Sequence, residues 1–214
     1  GALIFWDVES GQAILLIETD SGPLLDVAAN PEGTLLVTTG IDGKIRLWPV
    51  GPSAHHTTPP LLVEYAEHKG AVLAIAFSPT GDQIASGGSN NEVRIWDTET
   101  GSTQRIVNRR ADGSEQSVVE NLGRILSIDY RHDGMELLCR TINQGVLTWD
   151  LKSGSILRHF SFYEARDVVF HPSQGAVAAA IQGGIGISVN DSTKSSTYIN
   201  NAHHDWTIAV DFSP

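Results

Sequence analysis

Residues 68–101 read HKGAVLAIAFSPTGDQIASGGSNNEVRIWDTETG, and this stretch decides the fold. Three short, largely apolar runs in it favour β-strands. These runs are Val72 to Phe77, Ile84 to Gly88 and Val93 to Asp97. The turn at 78–81 separates the first two runs, because Pro79 fixes φ and Gly81 accepts the positive φ of a tight reversal. A hairpin turn at 89–91 and an outer strand from Gln104 to Val107 complete the expected four-stranded sheet.

Tryptophans recur along the chain at a spacing that matches the length of this unit. Trp6, Trp48, Trp96 and Trp149 each close an apolar run, at offsets of 42, 48 and 53 residues. Three of the four are followed directly by an aspartate. A period of this size indicates one recurring sheet unit. Such a unit cannot bury its apolar face alone, so it stacks on its neighbours. Stacked repeats form extended binding surfaces, which favours a binding function over a catalytic one.

The stretch resembles the repeat of the WD-repeat family. His68 precedes the inner strand, Phe77-Ser78-Pro79 opens the first turn, Ser86-Gly87-Gly88 leads into the hairpin, and Trp96-Asp97 closes the third strand. The resemblance implies an all-β protein, a β-propeller of four-stranded antiparallel blades.

A buried hydrogen-bonded tetrad of His, Ser, Asp and Trp stabilises each repeat of that family. The resemblance assigns it here to His68, Ser86, Asn90 and Trp96, so Asn90 stands where the family has aspartate. An amide can accept a hydrogen bond but brings no charge. We therefore expect the network to be kept and weakened.

The other units depart further from this pattern. The preceding unit supplies Thr38, Asp42 and Trp48, with Asp20 in the place of histidine. The following unit keeps Trp149-Asp150 but has Cys139 for serine and Asn143 for aspartate. The fourth has Ser188 where tryptophan should stand, and no tetrad.

The repeat divides the chain into about four complete blades with partial blades at both ends. The parts are a partial blade at 1–19, blades at 20–67, 68–120 and 121–160, a degenerate blade at 161–202, and the first strand of a further blade at 203–214. The end segments cannot form one complete blade together, so we expect part of a larger ring, with seven blades as the family's commonest number. Insertions from Pro49 to Leu61 and from Asn108 to Gly123 are expected to be surface loops.

Composition excludes several classes of function. The formal net charge of −11 repels phosphate backbones and anionic membranes, so we expect no nucleic-acid and no membrane partner. No apolar stretch approaches the roughly 20 residues that span a bilayer. Cys139 is the only cysteine, which rules out an intramolecular disulfide and suits an intracellular compartment, cytoplasmic or nuclear.

Catalytic and metal-binding patterns are weak, and the sequence predicts a non-enzymatic protein without cofactor or metal. Asp26, Asp129, Asp167 and Asp211 recur on inner strands, where a solvated channel lining is favoured over a paired acid–base site. His55-His56 and His203-His204 suit no shared ion, because adjacent side chains on an extended chain point to opposite sides. His203 fits better as the tetrad histidine of the next blade.

The resemblance also implies where a partner binds. In WD-repeat propellers partners dock on the top face, at the third and fifth residues after the tetrad histidine and at the residue before the turn aspartate. These positions are Pro23, Leu25, Ile41, Ala71, Leu73, Ser89, Arg124, Leu126, Ile142, Glu164, Arg166, Ile181, Trp206 and Ile208. From them and the arginine pair of the second insertion we predict the partner-binding set: Leu73, Ser89, Arg109, Arg110, Arg124, Leu126, Ile142, Arg166 and Trp206.

The function that follows is a scaffold that binds a protein or peptide partner on the top face, within a larger polypeptide or complex. Apolar centres flanked by arginine and tryptophan are the usual composition of binding hot spots. One alternative is that the arginines read acidic or phosphorylated peptides. Two others are that inserted loops cover the apolar positions, and that the arginines pair internally with Glu115, Glu120 or Glu164.

Overall fold

The computed structural model describes residues 1–19, 22–50, 61–107, 122–160, 162, 165–172, 176–181, 184–188, 197–200 and 210–211. All regular structure in these residues is β, in eighteen strands. No helix in the described part of the chain could cross a membrane.

The strands are three to six residues long. They are β1 (Ala2–Trp6), β2 (Ala13–Glu18), β3 (Leu24–Ala29), β4 (Leu35–Gly40), β5 (Ile45–Pro49), β6 (Val63–Tyr65), β7 (Val72–Phe77), β8 (Gln83–Gly88), β9 (Val93–Asp97), β10 (Thr103–Ile106), β11 (Ile125–Tyr130), β12 (Glu136–Thr141), β13 (Gly145–Asp150), β14 (Ile156–Phe160), β15 (Asp167–Phe170), β16 (Val177–Ile181), β17 (Gly184–Ser188) and β18 (Thr197–Asn200).

Each sheet is made of strands that are consecutive in sequence, and neighbouring strands within a sheet pair antiparallel. A two-stranded sheet, β1-β2, comes first. Four four-stranded sheets follow, which we call blades 1 to 4: β3–β6, β7–β10, β11–β14 and β15–β18. The first strands β3, β7, β11 and β15 lie next to one another in that order, so the blades are arranged as in a β-propeller. The predicted all-β fold of four-stranded antiparallel blades is confirmed.

The predicted elements of residues 68–101 are found with small shifts. The first and third strands have the expected bounds, and the second begins one residue early at Gln83. Gly81 has a φ of 72° and donates its N–H to Ser78 O at 2.9 Å, as the predicted turn requires. Strand β10 begins and ends one residue earlier than the outer strand expected from Gln104 to Val107.

The hydrophobic core lies between blades rather than inside them. One cluster joins blade 1 to blade 2 around Trp96, the next joins blade 2 to blade 3 around Trp149, and the third joins blade 3 to blade 4 around Phe162. Both of these tryptophans belong to the later blade of their pair and pack against the earlier one. Blades therefore depend on their neighbours for stability, as in other stacked-repeat proteins.

The repeat predicts that each of its tryptophans packs between successive sheets, and this prediction is wrong for Trp6. Trp48, Trp96 and Trp149 are buried, whereas Trp6 is 60% exposed. Trp6 lies on β1, whose sheet has no described sheet before it. Since the repeat tryptophan packs against the preceding blade, its ring faces solvent here.

Candidate functional site: the channel and the top face

The four tetrad residues of blade 2 meet in one hydrogen-bonded chain. Trp96 Nε1 donates to Ser86 Oγ at 2.7 Å, and Ser86 Oγ lies 2.7 Å from His68 Nε2. His68 Nδ1 lies 3.0 Å from Asn90 Oδ1. An amide oxygen only accepts, so Nδ1 carries the proton and the Ser86 hydroxyl donates to Nε2. Burial lowers the pKa of His68, which favours this neutral form.

Asn90 lacks the negative charge of the family's aspartate. Glu92, the next residue in the hydrogen-bond network, supplies a carboxylate. Asn90 Nδ2 donates to Glu92 Oε2 at 2.8 Å, and Glu92 forms a buried ion pair with Arg94 at 3.0 Å. The carboxylate that the family places next to histidine thus acts here through an amide. Sequence reasoning missed Glu92 and Arg94, although their alternation with Val93 and Ile95 on one strand was a usable signal.

The first strands surround a central channel, a cavity of about 660 Å³. Its lining includes Asp26, Asp129, Asp167 and Asp211 together with Arg166. Three of these carboxylates also link neighbouring strands. Each accepts a hydrogen bond from a backbone N–H of the next blade or strand. Asp26 accepts from Ile75 at 2.9 Å, Asp129 from Phe170 at 2.7 Å and Asp167 from Val210 at 3.2 Å. We call these the interblade hydrogen bonds.

Burial changes the acidity of two of these groups. It raises the pKa of Asp129 to about 7, against the opposing effect of the N–H groups of Phe170 and Tyr130, and the charges of Asp211 and Asp167 raise it further. Burial also raises the pKa of Asp26. At neutral pH Asp129 is therefore close to its midpoint.

Replacing Asp129 with asparagine should remove a pH dependence of stability. Between about pH 4 and pH 7 the folded chain keeps a proton that the unfolded chain has released, so its stability falls as the pH rises. Asparagine cannot ionise and can still accept the Phe170 N–H. We expect Asp129→Asn to raise the free energy of unfolding by up to about 4 kcal/mol at pH 8 and not at pH 4. Urea unfolding across this range measures it, with Asp7→Asn on an exposed turn as the control; a gain that is the same at both pH values would contradict it.

Three pairs of the predicted top-face positions meet at one end of the strands. In blades 1 to 3 the residue at the tip of the turn between the second and third strands donates its N–H to the residue just before the first strand. These bonds join Ile41 to Pro23 O at 3.2 Å, Ser89 to Ala71 O at 2.9 Å and Ile142 to Arg124 O at 3.0 Å. We call this end of the propeller the top face. The prediction thus selected residues that are paired in space.

Exposure differs among the predicted partner-binding residues. Ser89, Arg124, Ile142 and Arg166 are exposed, whereas Leu73 and Leu126 are half-buried and line the channel. Ile41, which was among the top-face positions, is exposed to the same degree as Ile142. Arg109, Arg110 and Trp206 lie outside the described residues, as do most of the two insertions and both histidine pairs.

Within the described part of the chain, no three His, Cys, Asp or Glu side chains are grouped to hold a metal ion. Cys139 is fully buried, and burial raises its thiol pKa well above the usual value. A thiol in that state is a poor nucleophile.

The comparison with protein families agrees with this geometry. The family profile described as WD domain, G-beta repeat matches residues 13–49 and 60–97, and the second match contains the complete tetrad. Residues 13–49 and 60–97 are therefore two repeats of the WD-repeat family. A comparison with curated proteins found no match. WD-repeat propellers are generally non-enzymatic and typically mediate protein–protein interactions.

The first WD repeat keeps part of the tetrad with substituted residues. Trp48 Nε1 donates to Thr38 Oγ1 at 2.9 Å, so threonine replaces serine as the acceptor. Asp42 pairs with Arg46 at 2.7 Å, and that guanidinium favours the charged carboxylate. Blade 1 therefore has an ion pair between Asp42, in the turn before its third strand, and Arg46 on that strand.

Proposed function

We propose that this WD-repeat protein is a non-enzymatic scaffold whose top face docks a protein partner. The observation that supports it is the apolar character of that face. Leu25, Leu73 and Leu126 hold equivalent positions on three successive first strands and all line the channel. Ile41 and Ile142 are exposed at the turns of blades 1 and 3, at 57% and 58%.

The two exposed isoleucines extend the apolar surface that the three leucines begin at this end of the strands. Large exposed apolar surface on a soluble protein commonly marks an interaction site. Arg124 is bonded through its backbone to Ile142 and exposes its side chain beside it, which matches the composition of binding hot spots. An apolar ring with a cationic neighbour suits a partner that inserts an aliphatic or aromatic side chain into the channel mouth.

A reader of acidic or phosphorylated peptides is the second candidate. Arg166 lines the channel mouth, and its charge adds to burial in lowering the pKa of Arg140. Two guanidinium groups therefore lie close enough to interact, with the Asp167 carboxylate beside them. A bound phosphate would relieve the repulsion between these two guanidinium groups.

The test uses two top-face substitutions and one matched control. We expect Ile142→Ser and Arg124→Ala each to weaken partner binding by about 1–3 kcal/mol, which is roughly 5-fold to 150-fold. Leu157→Ser removes a similarly exposed apolar side chain from the outer strand β14 and should leave binding unchanged. Quantitative affinity capture with the three variants identifies the partner, and titration of the recovered partner measures the loss.

Two results would oppose the proposal. Equal capture by wild type and both top-face variants, with thermal unfolding unchanged, would remove the top face as the docking site. Competition by free phosphate, together with strong weakening by salt, would replace the apolar docking site with the phosphopeptide alternative.

A further inference from the structure

A second cavity, of about 670 Å³, lies between blades 1 and 2 at the end of the strands opposite the top face. Part of its lining comes from the turns between the first and second strands of both blades and from the turn after β9, and the rest comes from blade 1. We call it the seam groove. It shares no lining residue with the channel.

The floor of the seam groove is apolar. Leu35, Leu47, Leu62 and Val63 line it, all from blade 1 or the residues leading into β6. Leu62 is 50% exposed, so part of this floor is open to solvent. Apolar surface in a concavity favours an occupant that covers it.

The rim of the groove is acidic. Four carboxylates line it: Glu32 from blade 1, and Asp82, Asp97 and Glu99 from blade 2. No Lys, Arg or His is among the described residues that line the groove, and none of the four carboxylates forms an ion pair within the described chain. This concentration of negative charge is therefore not neutralised by the neighbouring described side chains.

Local hydrogen bonds hold two of these carboxylates in the charged form. Asp82 accepts from the hydroxyls of Thr80 and Ser78, and these bonds lower its pKa. Asp97 accepts from the N–H and the hydroxyl of Thr100, which lowers its pKa as well. The charge of Asp97 opposes the ionisation of Asp82, so a cation between them would be stabilised by both.

Thr98 supplies an observation that is independent of charge. It lines the groove, it is 8% exposed, and its buried hydroxyl has no hydrogen-bond partner within the described residues. An unpaired buried hydroxyl costs about 1–3 kcal/mol relative to a bonded one. Thr98 therefore places an unsatisfied hydroxyl in the wall of the groove, between Asp97 and Glu99 in sequence.

We propose that the seam groove binds a segment of a protein partner that carries an arginine or lysine next to an apolar side chain. The cation lies among Asp82, Asp97 and Glu99, and the apolar side chain covers Leu62 and Val63. The net charge of −11 attracts a basic segment at long range, while the local carboxylates decide where it binds. This surface is separate from the top face, so one protein can hold two partners at once.

The chain contains a matched control for the charge. The turn Asp97-Thr98-Glu99-Thr100-Gly101 has a counterpart in Asp7-Val8-Glu9-Ser10-Gly11, outside the groove. In both turns the aspartate carboxylate accepts the N–H of the third residue after it, at 2.7 Å. The double variants Asp97→Asn/Glu99→Gln and Asp7→Asn/Glu9→Gln therefore make the same charge change in the same turn type, and asparagine keeps the acceptor.

The experiment first selects displayed random peptides of about twelve residues that bind the immobilised full chain. The enriched peptides are then synthesised, and their affinities are measured by fluorescence anisotropy. We expect the enriched peptides to carry Arg or Lys near Leu, Ile, Val or an aromatic residue. Asp97→Asn/Glu99→Gln should weaken them about tenfold at low salt, against less than about twofold for Asp7→Asn/Glu9→Gln. Leu62→Ser should weaken them about fivefold at every salt concentration.

Three outcomes would overturn the proposal. The first is the absence of enriched peptides, or enrichment of peptides without a basic residue. The second is equal binding by wild type and Asp97→Asn/Glu99→Gln with unchanged thermal unfolding. The third is enrichment only after residues 51–60 are replaced by a Gly-Ser linker, which would show that the chain's own insertion occupies the groove.

Discussion

Trp96→Ala should lower the free energy of unfolding by about 3–5 kcal/mol. The side chain is 1% exposed and is central to the cluster that joins blade 1 to blade 2. Its ring stacks on Tyr65 with centroids 5.3 Å apart, and its Nε1 donates to Ser86. Truncation leaves a cavity between the blades and removes the donor for the tetrad. Equilibrium unfolding in urea measures the loss.

Trp6→Ala is the control for this substitution, because it deletes the same side chain where it is mostly exposed. We expect a cost below about 1 kcal/mol there. Hydrogen exchange locates the damage: amides of blades 1 and 2 should lose protection, and those of blade 4 should keep it. A loss of protection in blade 4 that equals the loss at the seam would show that the blades unfold as one unit.

Gly87→Ala should cost about 3 kcal/mol, because a methyl group has no room at the junction of blades 2 and 3. A Cβ at this position would lie 2.6 Å from Ile125 Cβ and 2.8 Å from Ile128 Cδ1. Both isoleucines belong to β11, whose backbone the neighbouring contacts hold in place. The strand must move, or the side chains must leave their rotamers.

A double-mutant cycle separates this steric effect from the intrinsic preference of a strand for alanine. Ile125→Ala alone should cost about 2–4 kcal/mol as a cavity. The double variant Gly87→Ala/Ile125→Ala should cost at least about 1 kcal/mol less than the sum of the single changes, since the new methyl group fills part of the space. Strict additivity in urea unfolding would contradict the steric explanation.

Much of the fold could be predicted from residues 68–101, because local signals there agree at every level. The turn at 78–81, the apolar run of β7 and the closing Trp96 each support the same antiparallel unit. The exposure of Trp6 could not be read from β1 itself, since its apolar residues match those of buried third strands. Burial of a repeat tryptophan depends on the preceding sheet, which is a property of the array and not of the strand.

Less of the candidate site could be predicted. The family spacing found the paired positions of the top face, because the turn geometry that pairs Ile142 with Arg124 is set within one blade. The interblade hydrogen bonds and the seam groove were not found. Both depend on how far one blade is shifted against the next. Asp26 and Ile75, which are bonded, are 49 residues apart in sequence, so no local pattern reports their contact.

The junctions between blades differ in what holds them, and this should decide how the ring deforms. Carboxylate-to-amide bonds cross from β3 to β7 and from β11 to β15, whereas blade 2 meets blade 3 through Gly87 of β8 against Ile125 of β11. A polar bond accommodates sliding by small rotations of its side chain, but interdigitated backbone and methyl groups do not. Under mechanical or thermal strain we therefore expect blades 2 and 3 to move as one rigid body, with the elastic displacement concentrated on either side of them.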